Sequence, residues 1–318
     1  MIYSRITGTG SYLPERIMPN SELTTMVDTS DEWIQSRTGI KQRHIARADE
    51  STCDMGAVAA TRALQSAGLE PNQLDLVLFA TSTPDQIFPS TACLLQRQLE
   101  ITNGCPAFDV QAVCSGFVYG LTIADKFIKS GSAKNVLLIG ADCLSKIVDW
   151  TDRSTCVLFG DGAGAVVLQA STEPGVYSTV LHANGAYANM LEVPCGVSKP
   201  GEERFIKMQG SDVFKFAVAA MDELVEEVLV TSAMQKSDLD WLIPHQANQR
   251  IITATAKKLN MPMSKVIMTV EEHGNTSAAS IPLAMDTGIR DGRVKPGQLL
   301  LLEAIGGGFA WGAVLVRY

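Results

Sequence analysis

Three short segments, far apart in the chain, each carry a side chain capable of chemistry at the end of an apolar run. They are Gln111-Ala112-Val113-Cys114-Ser115-Gly116-Phe117, Pro244-His245-Gln246-Ala247-Asn248 and His273-Gly274-Asn275-Thr276-Ser277-Ala278-Ala279-Ser280. A thiol, an imidazole and a carboxamide supply a nucleophile, an acid, base or hydrogen-bond donor, and a neutral donor. That is the set a carbon–carbon-forming thioester enzyme requires. Cys114-Ser115-Gly116 opens a segment with Phe117, Leu121, Ala124 and Phe127-Ile128 on one face. The thiol is therefore expected at a helix N-terminus, where unpaired N–H groups and partial positive charge favour the thiolate. His245 follows the apolar run Trp241-Leu242-Ile243-Pro244, and Asn275 follows Gly274, which permits a tight turn. Asn275 either caps the following helix or turns its NH₂ towards a substrate oxygen.

Elements of considerable size must position these groups. The chain has 318 residues, 46% hydrophobic and 19% charged, with 26 glycines, which suits a large, mostly buried α/β core. A formal charge of -8 argues against nucleic-acid binding by the chain as a whole. The 7 cysteines are irregularly spaced and contain no C-x-x-C, the pattern of reduced thiols in a cytoplasm. The start, Met1-Ile2-Tyr3-Ser4-Arg5-Ile6, lacks the layout of a signal peptide. No apolar run reaches the roughly 18 residues of a membrane helix.

Helix and strand patterns alternate, and they do so twice. Helical spacing over Thr52–Ala67, stopped by Gly68, precedes a strand at Val77–Ala80; the amphipathic stretch Phe214–Val228 precedes a strand at Leu239–Ile243. A helix near Thr91–Leu99, a strand at Ala107–Val110 and Cys114 match a helix near Gln249–Leu259, a strand at Val266–Val270 and Asn275. Aliphatic strands at Val136–Ile139 and Leu299–Leu302 follow, and each half closes on a glycine-rich strand, Gly160–Leu168 and Gly306–Leu315. This predicts an internal duplication with halves 1–172 and 173–318, divided where Ser, Thr, Glu, Pro and Gly cluster near Ala170–Gly175. Cys114 and Asn275 would then stand at equivalent places, each at a helix start, with His245 at a strand end. Ligands of open α/β sheets bind at the carboxyl ends of strands, so the three are expected to converge.

With these residues in place, the chain resembles the β-ketoacyl-acyl-carrier-protein synthase III family of the thiolase superfamily over its whole length. The resemblance also rests on Gly8–Pro14, Asp28–Ile34, Arg37–Ile40, Phe159–Ala165 and Gly306–Phe309. It implies a duplicated, five-layered α/β/α/β/α thiolase-like fold and the first condensation of type II fatty-acid synthesis. Cys114 would take the acyl group of an acyl-CoA, here acetyl-CoA. Malonyl-acyl-carrier protein would lose CO₂ and attack it, with His245 and Asn275 holding the developing oxyanion. The N–H groups of Cys114 and Gly307 would form a second oxyanion hole. Elongating relatives carry a second histidine in place of Asn275 and thiolases a second cysteine, so the Cys-His-Asn set implies the initiating subclass. Cys-His-Asn condensing enzymes of secondary metabolism are the alternative.

By the same resemblance, Trp33, Arg37 and Arg153 would meet the CoA nucleotide, an aromatic face and guanidinium groups suiting a purine and phosphates. Thr29, Gly210, Phe214, Ala247 and Asn248 would line the pantetheine channel. Ser154 stands where some relatives have glycine. The acidic carrier protein would dock on Gln246, Ala247, Asn248, Gln249 and a basic strip of Arg250, Lys257 and Lys258, in which Arg250 and Lys257 lie two turns apart on one helix face. Phe88 would bound the acyl pocket across a homodimer interface. CoA enters as substrate, so no cofactor, metal, nucleic acid or membrane is expected, and the enzyme is expected in the cytoplasm.

Overall fold

The structure is a computed structural model that describes residues 2–318, the side chain of Asp222 excepted. Its first sheet joins β1 (Tyr3–Tyr12), β2 (Leu76–Ala80), β3 (Ala107–Val110), β4 (Asn135–Asp142) and β5 (Gly162–Ser171) in the order β1-β5-β4-β2-β3. Its second joins β6 (Val176–Ala183), β7 (Trp241–Pro244), β8 (Leu299–Gly306) and β9 (Ala310–Arg317) in the order β7-β8-β9-β6. Matched by position, β6, β9, β8 and β7 repeat β1, β5, β4 and β2. The pairing directions match as well: β2–β4 and β7–β8 are parallel, while β4–β5, β5–β1, β8–β9 and β9–β6 are antiparallel.

The helices that matter are α1 (Asp31–Thr38), α2 (Thr52–Ala67), α3 (Thr91–Gln98), α4 (Gly116–Lys129), α5 (Gly210–Ser232), α6 (Gln249–Lys258) and α7 (Ser280–Arg290). Local chemistry sets α2: Ser51 and Asp54 form a capping box, and Gly68 ends the helix at φ 66°. Strand alternation then builds the layers. Leu76 and Leu78 face α4 and α7, while Val77 and Phe79 face α2 and α3. In β8, Leu300 and Leu302 face the same central helices, and Leu299 and Leu301 face α5 and α6. The result is helices, sheet, helices, sheet, helices, with α4 and α7 buried between the two sheets. None of the described helices is long and apolar enough to cross a membrane.

Three expectations need correction. Residues 266–270 do not form a strand. Val266 makes one parallel bridge to Leu242, and the Gln246 Oε1 then accepts the N–H groups of Thr269 (2.8 Å) and Val270 (3.1 Å). A side chain thus takes the place of a ladder, and a helical turn, Val270–His273, begins. Nor are Cys114 and Asn275 equivalent. Val113 and Ser277 share a left-handed backbone (φ 48° and 51°), and each is followed by a 3₁₀ turn running into α4 or α7. Cys114 therefore matches Ala278, and Asn275 lies three residues before it. The glycine-rich closing segments are also partly turn: β5 begins at Gly162 and β9 at Ala310.

Candidate active site

Cys114 sits in the turn that leads into α4, only 5% exposed. The turn is held by the Ser115 hydroxyl, which donates to Ala112 O (2.7 Å) and Ala310 O (3.0 Å). Gly306 lies against it so closely that a Cβ there would stand 2.7 Å from both Ala112 O and Cys114 N. A Cβ on Gly307 would stand 2.7 Å from Leu191 O. The glycines are needed because backbone packs on backbone beside the nucleophile. The depressed thiol pKa expected from the helix dipole is not found. Burial pushes the Cys114 thiol up to about 12, and the neighbouring Ser277 side chain offsets only part of this. The resting nucleophile is a protonated thiol.

His245 follows β7 and is 6% exposed; its N–H donates to Glu303 O across the β7–β8 pair (2.8 Å). Its Nδ1 lies 2.6 Å from the Ser280 hydroxyl at the start of α7. Ser280 Oγ also accepts the Gln246 N–H at 3.3 Å, so its proton is free to go to Nδ1. That assignment puts the ring proton on Nε2. Burial lowers the His245 pKa to about 3, so the imidazole is neutral. Asn275 is 6% exposed and stitched to the first half: its N–H donates to Leu158 O (2.9 Å), and its carbonyl accepts from Gly160 N (3.0 Å). Its Oδ1 accepts the Ser277 N–H at 3.0 Å, which leaves the NH₂ as the free end of the carboxamide.

Cys114, His245 and Asn275 line one cavity of about 680 Å³. All three are buried, whereas Arg37, Lys215 and Arg250, at the other end, are exposed. Trp33, Ser154, Gly210, Phe214, Ala247 and Asn248 also line it. The Asn248 side chain accepts the Arg250 N–H (2.8 Å), capping α6, and donates to Arg37 O (3.2 Å). The Arg250 guanidinium lies over the Phe214 ring at 5.3 Å, and that of Arg153 over Trp33 at 5.0 Å. Arg153 and Thr29 are not among the lining residues; the Thr29 hydroxyl is buried without a partner among the described residues.

A second cavity of about 300 Å³ meets the first at Cys114, Phe159 and Leu191. Ser82, Gln111, Leu144, Cys195, Ile206 and Ser277 are among its walls. Phe88 lines neither cavity of its own chain and is 82% exposed. Gln246 is fully buried, its amide donating to Pro244 O and Ile267 O, so it offers nothing to a docking partner. Gln249, Lys257 and Lys258 are exposed. Ser280 and Glu303 escaped the sequence reading although both adjoin His245.

Two family models match the chain. Residues 108–185 match "3-Oxoacyl-[acyl-carrier-protein (ACP)] synthase III", and residues 229–318 match the C-terminal model of the same family. A β-ketoacyl-[acyl-carrier-protein] synthase III of Thioalkalivibrio sulfidiphilus is 59% identical, with 100% of both chains covered. The chain belongs to the β-ketoacyl-[acyl-carrier-protein] synthase III family. A synthase III crystal structure from Aquifex aeolicus shares the fold at a TM-score of 0.95 and 51% identity, covering 99% of this chain and 100% of that one. The priming β-ketosynthase of the R1128 polyketide pathway also superposes at 0.95, but at 35% identity, over 99% of this chain and 96% of that one. Likeness in sequence thus favours the fatty-acid synthases over the polyketide enzyme, and places a condensing acyltransferase on this thiolase-like frame.

Proposed function

We propose that this synthase III joins an acyl-CoA primer, acetyl-CoA in the first instance, to malonyl-acyl-carrier protein. The products are a 3-oxoacyl-acyl-carrier protein, CoA and CO₂, the first condensation of fatty-acid synthesis. The observation that carries this reading is the opening of Cys114, His245 and Asn275, drawn from both halves, into one cavity with a basic mouth.

In the first stage Cys114 Sγ bonds to the acyl carbon, the C–S bond to CoA breaks, and the thiol proton ends on the CoA sulfur. The N–H groups of Cys114 and Gly307 hold the oxyanion that forms on the way. In the second stage the bond from the malonyl methylene to its carboxyl carbon breaks, releasing CO₂. The electron pair moves towards the thioester oxygen, where His245 Nε2–H and the Asn275 NH₂ stabilise it. The carbanion attacks the acyl-Cys114 thioester, and Cys114 leaves as a thiolate that takes up a proton. No cofactor enters this scheme.

Trp33, Arg37 and Arg153 would receive the nucleotide, and Gly210, Phe214, Ala247 and Asn248 the pantetheine arm. Arg250 with Lys257 and Lys258 gives an acidic carrier protein a dock. The exposed Phe88 supports a homodimer in which the partner closes the acyl cavity. We place the enzyme in the cytoplasm.

Intact-mass measurement after incubation with acetyl-CoA tests the reading. The expected adduct is one acetyl group on Cys114, discharged by malonyl-acyl-carrier protein. An unmodified protein, or an adduct on another residue, overturns it.

A further inference from the structure

Glu303 is a buried acid with no place in the reaction as written. It lies in β8, paired in register with Pro244, and its backbone oxygen holds the His245 N–H. The side chain is 1% exposed and lines the same cavity as Cys114, His245 and Asn275. It is the sole acid among the lining residues. Its Oε2 is buried with no hydrogen-bond partner among the described residues. A carboxylate buried like this without a cation is costly, whereas the neutral acid keeps one O–H to donate.

The two substrates differ in charge at their reacting ends. An acetyl thioester carries none there, and a malonyl thioester carries a carboxylate. The cations that line the cavity, Arg37, Lys215 and Arg250, are exposed at its mouth. The geometry points to Glu303 as a charge-sensing residue for the malonyl stage: as a neutral acid it admits and hydrogen-bonds the carboxylate-bearing thioester, and as a carboxylate it repels it. This assignment rests on the two-stage reaction proposed above.

Burial alone raises the Glu303 pKa to about 8, so the switch lies within reach of ordinary buffers. The other titratable and charged groups on this cavity are Cys114, His245, Arg37, Lys215 and Arg250. Cys114, at about 12, and His245, at about 3, titrate well outside the interval from pH 7 to 9.

The test measures the two stages separately on the full-length enzyme from pH 6.5 to 9. The first readout is self-acylation of Cys114 by acetyl-CoA; the second is kcat/KM for malonyl-acyl-carrier protein with preacylated enzyme. The malonyl stage is expected to fall about tenfold between pH 7 and pH 9, with no matching fall in self-acylation. Glu303→Gln, neutral at every pH, removes that fall. An equal alkaline fall in both stages of the unmodified enzyme overturns the assignment, as does an unchanged fall in Glu303→Gln. The unmodified comparison decides the matter even where the variant does not fold. Absence of any acyl adduct on Cys114 would instead refute the underlying reaction, so the two failures are distinct.

Discussion

Ser280→Ala removes the one contact that assigns the His245 tautomer, and its effect can be worked from the geometry. The Ser280 hydroxyl lies 2.6 Å from His245 Nδ1 in a buried setting. A buried hydrogen bond of this kind contributes about 1 kcal/mol net, and leaving a buried nitrogen unpaired costs about 1–3 kcal/mol more. With Ser280 gone, nothing holds the ring proton on Nε2, so a share of the enzyme presents a bare nitrogen to the enolate oxygen. A loss of about 2 kcal/mol in the transition state slows malonyl decarboxylation roughly 30-fold. That is less than the roughly 100- to 1,000-fold cost of deleting an oxyanion donor outright, because one tautomer still donates.

The assay is release of CO₂ from malonyl-acyl-carrier protein by Ser280→Ala and by the parent, alongside self-acylation with acetyl-CoA. Self-acylation draws on the Cys114 and Gly307 N–H groups and is expected to change far less than decarboxylation. Decarboxylation within twofold of the parent's would refute the tautomer argument, even with a lowered melting temperature. Equal losses in both stages would show that Ser280 acts by packing alone.

Asn275→Ala should cut decarboxylation about 100- to 1,000-fold while the mass shift of acylated Cys114 persists; loss of that shift instead would contradict the role given to the NH₂. Gly306→Ala puts a Cβ 2.7 Å from Cys114 N and Ala112 O, so both self-acylation and the melting temperature should fall, and normal self-acylation would show that the turn yields cheaply. His273 is half-buried, and desolvation, with His44 adding, lowers its pKa to about 4. Its folded pKa lies below the unfolded value near 6.5, so the unfolded chain binds more protons and the His273 contribution is lost as pH falls from about 6.5 towards 4. The melting temperature of His273→Gln should therefore gain on the parent's between pH 7.5 and 5, and parallel curves would refute this. Phe88→Asp should shift the protein to monomer in gel filtration and weaken primer handling, and an unaltered elution volume would end the dimer reading.

Which of these features could be read in the sequence follows from how local their causes are. The bounds of α2 were legible because Ser51, Asp54 and Gly68 act within one turn of the helix. The convergence of Cys114, His245 and Asn275 was legible from their residue types and the segments around them, although the repeat equivalence expected of Cys114 and Asn275 did not hold. The false strand at 266–270 was not, because its outcome turns on Gln246, some twenty residues earlier, which satisfies the backbone that pairing would have used. The thiol was misjudged for a similar reason: the N–H groups of α4 are local and visible, while the burial that outweighs them is a product of the whole fold. Ser280 gave no signal, since a serine at a helix start is commonplace and its partner is 35 residues away. Glu303 did give one. It interrupts Leu299-Leu300-Leu301-Leu302 and Ala304-Ile305, where alternation buries both faces of the strand, and an unpaired acid at such a place costs several kcal/mol unless it stays protonated. A charge set against its own strand pattern is the kind of local conflict that folding alone does not explain. It points to a task at that site, here the handling of a second carboxylate that enters only with the second substrate.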